Sequence, residues 1–345
     1  MTKTKRKQEI MFLNVVLCIL VVFIHISSHA VSNFVRPSAA YTLIFVPWRL
    51  SAFVVQGFIF LSAVKYFLKS ENEFNYFSFM MKRLKAVYMP YVAVVALYYI
   101  YFMHHGYFGF SIKEFVFYVL SGSLVSPFYF IVAIMQFYLL MPLWIKMVDN
   151  MSFLVAIVIS FVIMLVTKYY FPLALSGFEK ISGYTDRIFT TYLIYWTAGC
   201  YLGRNYDKVC EYIKKNILAL VVFFAVAGTA DLYFSYNGFV YGQYFSFTEN
   251  LHMIYCISAI AFLFCLGIWL RNIKIPFLKQ LDSVSYNVYL VHCLIIFIVN
   301  DQIAKYCISS VTKQFFIRFV VVYAVAFGIC ILYKNIKKKV FGKIG

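Results

Sequence analysis

The sequence is poor in acidic residues and has little charge of either sign. Only 13 of its 345 residues are Asp or Glu, and charged residues make up 13% of a chain that is 63% hydrophobic. This composition excludes an ordinary soluble domain and predicts a polytopic membrane protein. The 31 Lys and Arg residues give a formal charge of +18, but they fall in short clusters between apolar runs. That distribution is typical of helices oriented in a membrane and argues against a nucleic-acid partner.

Several motifs that carry chemistry are also missing. The chain has no GxxxxGK[ST] and no GxGxxG pattern, which argues against an ATP-driven pump. Its eight cysteines have no CxxC or zinc-finger spacing, and most lie inside apolar runs. His25 and His29 have the i, i+4 spacing of a metal pair, but no third ligand is identifiable, so we predict no metal site. Gly199 and Gly203 form a GxxxG pair, which predicts close helix packing.

Apolar runs of bilayer length recur along the whole chain. They predict an all-α polytopic membrane protein with about ten transmembrane helices, and a half-apolar segment over 112–124 that lies along the interface or dips partway in. The predicted spans are 10–30, 43–67, 86–105, 127–148, 152–171, 187–203, 216–236, 251–270, 283–300 and 314–334. Of the 31 basic residues, 22 fall on one side of this arrangement and eight on the other. The asymmetry places both termini in the cytoplasm.

Polar residues inside the apolar runs are the candidates for function, because ionisable groups at membrane depth are rare and usually functional. His25 lies in the first run, and Asn14 and His29 share its face of the helix. Arg49 lies about 10 Å into the second span from the outside, at a depth similar to that of His25. Asp231 lies near the outer end of the seventh span. We therefore predict that these groups converge on one outward-facing polar cavity.

The other intramembrane polar residues have more than one interpretation. His292 lies near the middle of the ninth span, away from the expected cavity of Arg49 and His25. We expect it to have a structural role there through a hydrogen bond to a neighbouring helix. Glu249 and His252 bracket the start of the eighth span and are interpreted as interfacial. For Arg49 two interpretations stay open, which are snorkelling to the headgroups and pairing with an anionic or carbonyl partner.

Five segments carry aromatic and polar motifs in a fixed order along the chain. The first helix has an apolar stretch, then a histidine and a polar end, here His25. The second helix carries Arg49 and Ser62 in WRLSAFVVQGFIFLSAVKYF, with Ala63 after the serine. The basic segment KRLKAVYMPY ends in a proline and tyrosine before the third helix, and the fourth span, FYFIVAIMQFYLLMPL, is rich in aromatic residues. The ninth span reads SYNVYLVHCLII, with Ser285, Tyr286, Tyr289 and His292.

In their order and spacing, these motifs resemble the membrane-bound acyltransferase family 3. The resemblance covers nearly the whole chain, so we expect its 345 residues to form a single transmembrane domain. Two positions depart from the family pattern, because Ala63 replaces a glycine and Asn14 stands where Arg or Lys is usual. If that cation binds part of an acyl-CoA, donor binding here rests on other basic groups; otherwise the donor differs or catalysis has been lost. The candidates at the donor site are Asn14, Lys82, Arg83 and Lys85.

The resemblance implies an integral membrane O-acyltransferase of the bacterial plasma membrane. Such proteins move an acyl group, commonly acetyl, from cytoplasmic acyl-CoA to a hydroxyl of an extracytoplasmic glycan or lipid-linked sugar, with no permanently bound cofactor. His25 would then be the general base for the hydroxyl or a transient acyl carrier. Arg49 would stabilise the developing oxyanion or hold an acidic acceptor. The expected supporting residues are Ser62, Ser285, Tyr286, Tyr289 and His292, and those of the acceptor cavity are His29 and Asp231.

Two other functions stay open. A transporter or flippase of a glycan intermediate would use the same polar cavity without acyl-transfer chemistry, and the neutral Asn14 favours it. The other open function is that of a non-catalytic partner within a polysaccharide-synthesis complex.

Overall fold

The structure, a computed structural model, describes residues 7–68, 74–174 and 183–341. Within these ranges the regular elements are all helices. The α-helices are α1 (Gln8–Asn33), α2 (Ala39–Leu50), α3 (Val54–Phe67), α4 (Tyr76–Arg83), α5 (Met89–His104), α6 (Ile112–Ser121), α7 (Tyr129–Leu139), α8 (Met141–Asn150), α9 (Phe153–Ala174), α10 (Leu193–Arg204), α11 (Tyr206–Lys215), α12 (Ile217–Tyr241), α13 (Thr248–Trp269), α14 (Leu278–Lys305) and α15 (Val311–Phe341). A π-helical turn over Leu84–Tyr88 joins α4 to α5.

Several of these helices, alone or joined to the next one, are long and apolar enough to cross a membrane. Among the described residues, eight segments meet that condition, and a ninth does if one bent pair counts as a span. The eight coincide with eight of the ten predicted spans. The remaining two are broken, because the run over 127–148 is interrupted at Leu140 and the run over 187–203 begins with 3-10 turns. The all-α polytopic class is confirmed, whereas the count of ten and the cytoplasmic termini stay predictions.

The bent pair includes the segment that was expected at the interface. α6 and the following helical segment, Ser126–Leu139, meet at an angle of 60°. Gly122 ends α6 in the left-handed conformation, with φ of 64°. A Cβ atom there would lie 2.8 Å from the Phe128 carbonyl oxygen. Only glycine accommodates both the positive φ and this close approach.

The chain forms two compact units. The first comprises Met1–Phe58 with Asp207–Gly345, and the second comprises Ile59–Tyr206. Most of the candidate site residues lie in the first unit, whereas Ser62 and the basic donor candidates lie in the second. The single domain that the resemblance implies stays a prediction.

In the first unit, α1 and α14 run parallel, side by side. Asn14 contacts Asp282, Cys18 contacts the Ser285 carbonyl, and the His25 ring packs on His292. The partners advance together along both helices, which is possible only when the two chains run in the same direction. α2, α13 and α15 also pack on α1, so α1 is the central helix of this unit.

In the second unit, two glycines let α10 approach α3 closely. A Cβ atom on Gly199 would lie 2.8 Å from Ala63 Cβ and would also clash with the Phe60 carbonyl oxygen. A Cβ atom on Gly203 would lie 2.8 Å from Phe67 Cβ. The predicted packing role of this GxxxG pair is confirmed.

Gly199→Ala is expected to destabilise the protein, because backbone atoms of α3 have to move to admit the methyl group. Overpacking of this kind costs about 1–3 kcal/mol. The measurement is the thermal unfolding midpoint of the purified protein in detergent. Gly328→Ala is the matched control, since nothing lies within 4 Å of a Cβ atom at that helical position. Alanine there should be neutral or stabilising by up to about 1 kcal/mol, and equal midpoints for the two variants would refute the packing role.

Candidate functional site

His25 lies on α1 with its ring against α14. The side chain is partly buried, and its ring centroid is 5.2 Å from that of His292 at an angle of 46°. Within the described ranges, His25 makes no hydrogen bond through its ring nitrogens. An imidazole in this state has a free lone pair that can accept a proton from a bound hydroxyl.

The fully buried ring of His292 has a defined orientation. Its Nδ1 atom lies 2.7 Å from the Tyr289 carbonyl oxygen and 3.2 Å from that of Val288. Nδ1 must donate in these contacts, which leaves the lone pair on Nε2. The Cys293 thiol lies 3.4 Å from Nε2 and donates to it. The imidazole is therefore neutral and held by its own helix.

Two expectations for His292 are thus wrong. Its hydrogen bonds stay on α14 rather than crossing to another helix, and it lies against His25 rather than apart from it. The reason is the start of α14 at Leu278, earlier than predicted, together with its parallel alignment to α1. These features bring the two histidines to the same level in the membrane.

His25, His292 and Cys293 form a group that could hold a metal ion. Each offers one ligand atom, and these atoms all lie within 4.8 Å of one another. Imidazole nitrogen and thiolate sulfur are ligands that suit Zn²⁺. His29 is not a member of this group, so the i, i+4 spacing pointed to the wrong partner for His25. That the protein uses no metal stays a prediction.

Arg49 forms a second cluster with Asp231 and His252. Its Nε and Nη2 atoms donate to the two carboxylate oxygens of Asp231 at 2.8 and 2.7 Å. The Asp231 side chain is fully buried, and that of Arg49 is 15% exposed. Nδ1 of His252 lies 2.8 Å from Arg49 Nη2 and 3.1 Å from Asp231 Oδ1, so it joins both members of the pair. This bidentate geometry is the strongest that an Arg–carboxylate pair adopts.

The contacts in this second cluster decide between the interpretations given above for Arg49 and His252. Arg49 pairs with an anion, so the snorkelling interpretation is wrong. The purely interfacial interpretation of His252 is also wrong, because its Nδ1 atom contacts both Arg49 and Asp231. Glu249 is exposed, as expected of an interfacial residue. Among the described residues, no hydrogen bond or ring contact joins this cluster to His25, and their common cavity stays a prediction.

A break in the second span positions Arg49. Pro47 lies inside α2, which ends at Leu50, and α3 begins at Val54. The Ser51 hydroxyl donates to the Pro47 carbonyl at 2.7 Å, and the Tyr255 hydroxyl donates to the Leu50 carbonyl at 2.5 Å. The Tyr255 bond satisfies a carbonyl group at the end of α2, and the Ser51 bond adds to the backbone bond that Pro47 already accepts. Arg49 is therefore anchored next to a defined bend.

Asn14 pairs with an acidic residue that was not predicted. Its Nδ2 atom donates to Asp282 Oδ1 at 2.9 Å, and Asp282 is 6% exposed. The predicted ninth span began one residue after Asp282, which therefore seemed to lie outside the membrane. A signal was present, because Asp282 precedes His292 by nearly the same interval as Asn14 precedes His25. The proposed contribution of Asn14 to donor binding stays a prediction.

The SYNVYLVH residues surround His292. The Ser285 hydroxyl donates to the Leu281 carbonyl at 2.9 Å, within α14. The Tyr289 ring lies 6.1 Å from the His292 ring and stacks at 6.3 Å on Tyr286. Tyr289 therefore contacts the His292 ring directly, and the supporting role of these residues stays a prediction.

The basic donor candidates have different environments within the second unit. The Arg83 guanidinium lies 5.0 Å from the centre of the Phe79 ring and 4.9 Å from that of Tyr138. Lys82 and Lys85 are exposed. Arg83 is thus engaged with aromatic faces, whereas the lysines are open to solvent. Their binding of a donor, and a supporting role of Ser62, stay predictions.

Comparison with known proteins identifies relatives along most of the chain. The sequence profile of acyltransferase family 3, described as an acyltransferase domain, matches residues 9–334. The chain is 26% identical over 191 residues to a "Probable poly-beta-1,6-N-acetyl-D-glucosamine export protein" of Staphylococcus aureus (strain Mu50 / ATCC 700699), which covers 53% of each protein. It is 24% identical over 107 residues to a Staphylococcus epidermidis protein of the same name, covering 30% of this chain and 29% of that protein. The chain thus spans about half the length of the curated relatives it matches. No solved structure matches it.

Proposed function

Because the chain belongs to acyltransferase family 3, we propose that it moves an acyl group, acetyl in the first instance, from cytoplasmic acyl-CoA to a hydroxyl of an extracytoplasmic glycan or lipid-linked sugar. Family membership indicates an acyltransferase for groups other than amino-acyl groups. The chain is a multi-pass membrane protein with bacterial relatives. The observation that carries the proposal is His25, a partly buried imidazole in a bilayer-length helix whose lone pair is not taken up by any described residue.

In the proposed mechanism, His25 is the general base. It takes the proton of the acceptor hydroxyl as the oxygen attacks the thioester carbonyl. The new C–O ester bond forms and the C–S bond breaks. The leaving CoA thiolate takes the proton from the His25 imidazolium, so CoA is released as the thiol and His25 is neutral again. His292 acts as a positioning residue, because its fixed ring packs on His25.

We assign a bracing role to the cluster of Arg49, Asp231 and His252. It ties α2 to α12 and α13 through hydrogen bonds of 2.7–3.1 Å. Because the Asp231 carboxylate compensates the charge of Arg49, this guanidinium stabilises an oxyanion less than an unpaired one would. It remains partly accessible to an acidic group of the acceptor.

Export of a glycan is the second candidate function. The name of the staphylococcal relatives favours export, and so does the neutral Asn14. In that case the same polar groups bind the glycan, and no covalent bond changes.

Reconstituted vesicles distinguish the two functions. Vesicles made with lipid extract of the producing strain contain acetyl-CoA labelled in the acetyl group, and β-1,6-linked N-acetylglucosamine oligomers are supplied outside. We expect CoA release inside and label in the glycan or the lipid fraction. Vesicles without protein are the control. Movement of glycan across the bilayer without any transferred label would refute the acyltransferase and support export.

A further inference from the structure

Arg318 is a buried cation without a carboxylate partner in the described part of the chain. It lies on α15, about 10 Å from the start of the helix, and is 3% exposed. Its Nε atom donates to Asn300 Oδ1 at 2.7 Å, and Nη2 donates to Gln314 Oε1 at 3.2 Å. Both partners are neutral amides. The Nη1 atom is buried and has no hydrogen-bond partner.

Arg49 and Arg318, the two arginines of the first unit that lie well inside predicted spans, therefore differ in their counter-charge. Arg49 has Asp231 as its counter-charge, and Arg318 has none among the described residues. An unpaired charge at membrane depth is costly and usually marks a binding site. The amides of Asn300 and Gln314 fix the plane of the guanidinium, so that Nη1 is an oriented and unused donor. A ligand anion would supply the partner that Arg318 Nη1 lacks among the described residues.

His29 offers a second unused donor on the neighbouring helix. It lies on α1, which packs against α15 and accepts a hydrogen bond at the Ile19 carbonyl from the Tyr323 hydroxyl. Its Nδ1 atom is also buried without a hydrogen-bond partner. A single oxyanion that accepts from Arg318 Nη1 and His29 Nδ1 would satisfy both atoms. His29 is one helical turn from His25, so the oxyanion would lie next to the proposed general base.

The same two helices, α1 and α15, also line an apolar groove. It has a volume of about 620 Å³, and its lining includes Ile19 and Phe23 of α1 and Phe319 and Tyr323 of α15. On α1 these residues precede His29, and on the antiparallel α15 they follow Arg318. Both helices thus place the groove on the same, deeper side of the charged pair. Its dimensions and apolar lining suit a hydrocarbon chain.

We propose that Arg318 and His29 bind the phosphate group of a lipid-linked molecule whose hydrocarbon chain lies in this groove. The proposal rests on the proposed function and identifies a lipid-linked sugar phosphate as the acceptor. The phosphate anchors the lipid at the level of His29, and the sugar attached to it reaches His25. A phospholipid headgroup has the same anionic chemistry, so the test includes it as a competitor.

The test measures retention of labelled polyprenyl phosphate by the purified full-length protein in a neutral detergent. We expect wild type to bind it at least tenfold more tightly than the uncharged polyprenol. Arg318→Gln should abolish this preference, and Arg318→Lys should keep part of it. Lys313→Gln, which removes an exposed cation from the same helix, is the matched control and should bind like wild type. Because the Gln variant removes an uncompensated charge, it should unfold at the same temperature as wild type or higher.

Equal binding by wild type and Arg318→Gln overturns the site. Competition by phosphatidylglycerol as effective as that by polyprenyl phosphate overturns its assignment to the acceptor, whereas weak competition supports it. Binding requires no acyl transfer, so the failure of this proposal is distinguishable from failure of the proposed function. Wild-type protein that binds polyprenyl phosphate but releases no CoA would refute only the proposed acyl transfer.

Discussion

His25→Gln is expected to lower the rate of acyl transfer about 10²- to 10⁴-fold, which is the usual contribution of a general base. Glutamine keeps a polar group of similar size, but it cannot take up a proton at neutral pH. Since His25 makes no hydrogen bond to any described residue, its replacement should cost little stability. The variant should therefore insert, unfold near the wild-type temperature and bind donor, yet fail to acylate. The measurement is label transferred per mole of purified protein.

The control for this variant is His104→Gln. His104 ends α5 in the second unit and is exposed, so its loss should leave transfer unchanged. His25→Ala should fail as completely as His25→Gln. A His25→Gln protein that transfers acyl groups at more than about a tenth of the wild-type rate would contradict general-base catalysis by this residue.

Asp231→Asn is expected to destabilise the protein by about 3–5 kcal/mol, because it leaves the charge of Arg49 buried without its partner. The Asp231 side chain is fully buried and accepts two hydrogen bonds from the guanidinium. Replacing both residues, as Arg49→Met with Asp231→Leu, should restore much of the loss, since a neutral pair of similar volume carries no uncompensated charge. The measurement is unfolding of the four proteins of this double-mutant cycle in detergent.

An exposed ion pair in the same chain is the matched control. Arg204 and Asp149 lie 2.7 Å apart, with their side chains 48% and 46% exposed. Exposed pairs contribute about 0–1 kcal/mol, so Asp149→Asn should change stability only slightly. If the two Asp→Asn variants lose the same stability, or if the double variant is no better than Asp231→Asn, the bracing role of Arg49 is wrong.

Long apolar runs explain why the fold class could be predicted from sequence. A stretch such as α1 has few alternatives to a membrane-spanning helix, and a histidine within it stands out. Each aromatic and polar motif alone is weak evidence for the family. The order of the motifs along the chain is strong evidence, and it was sufficient to identify the family. The prediction of His25 as the central candidate needed no knowledge of its neighbours.

The partners of these residues could not be predicted in the same way. Helical periodicity gives the face on which His25 and Asn14 lie, but not which helix covers that face, so His292 and Asp282 were not placed there. Helix boundaries drawn from hydropathy are also placed too far inside the helix wherever a charged residue lies one or two turns from its end. His252 was assigned to a helix end for this reason. Arg49 shows the same limit, since only the geometry identifies Asp231 as its counter-charge.

The most direct test of the central claim follows the labelled acetyl group in vesicles that contain either wild-type protein or His25→Gln. Acetyl-CoA is enclosed with the cytoplasmic face of the protein, and the acceptor is supplied at the opposite face. We expect wild type to release CoA and to place the label on acceptor outside, and His25→Gln to do neither while remaining folded. Label on the acceptor at equal rates with both proteins, or glycan movement without label with either, would contradict acyl transfer by His25.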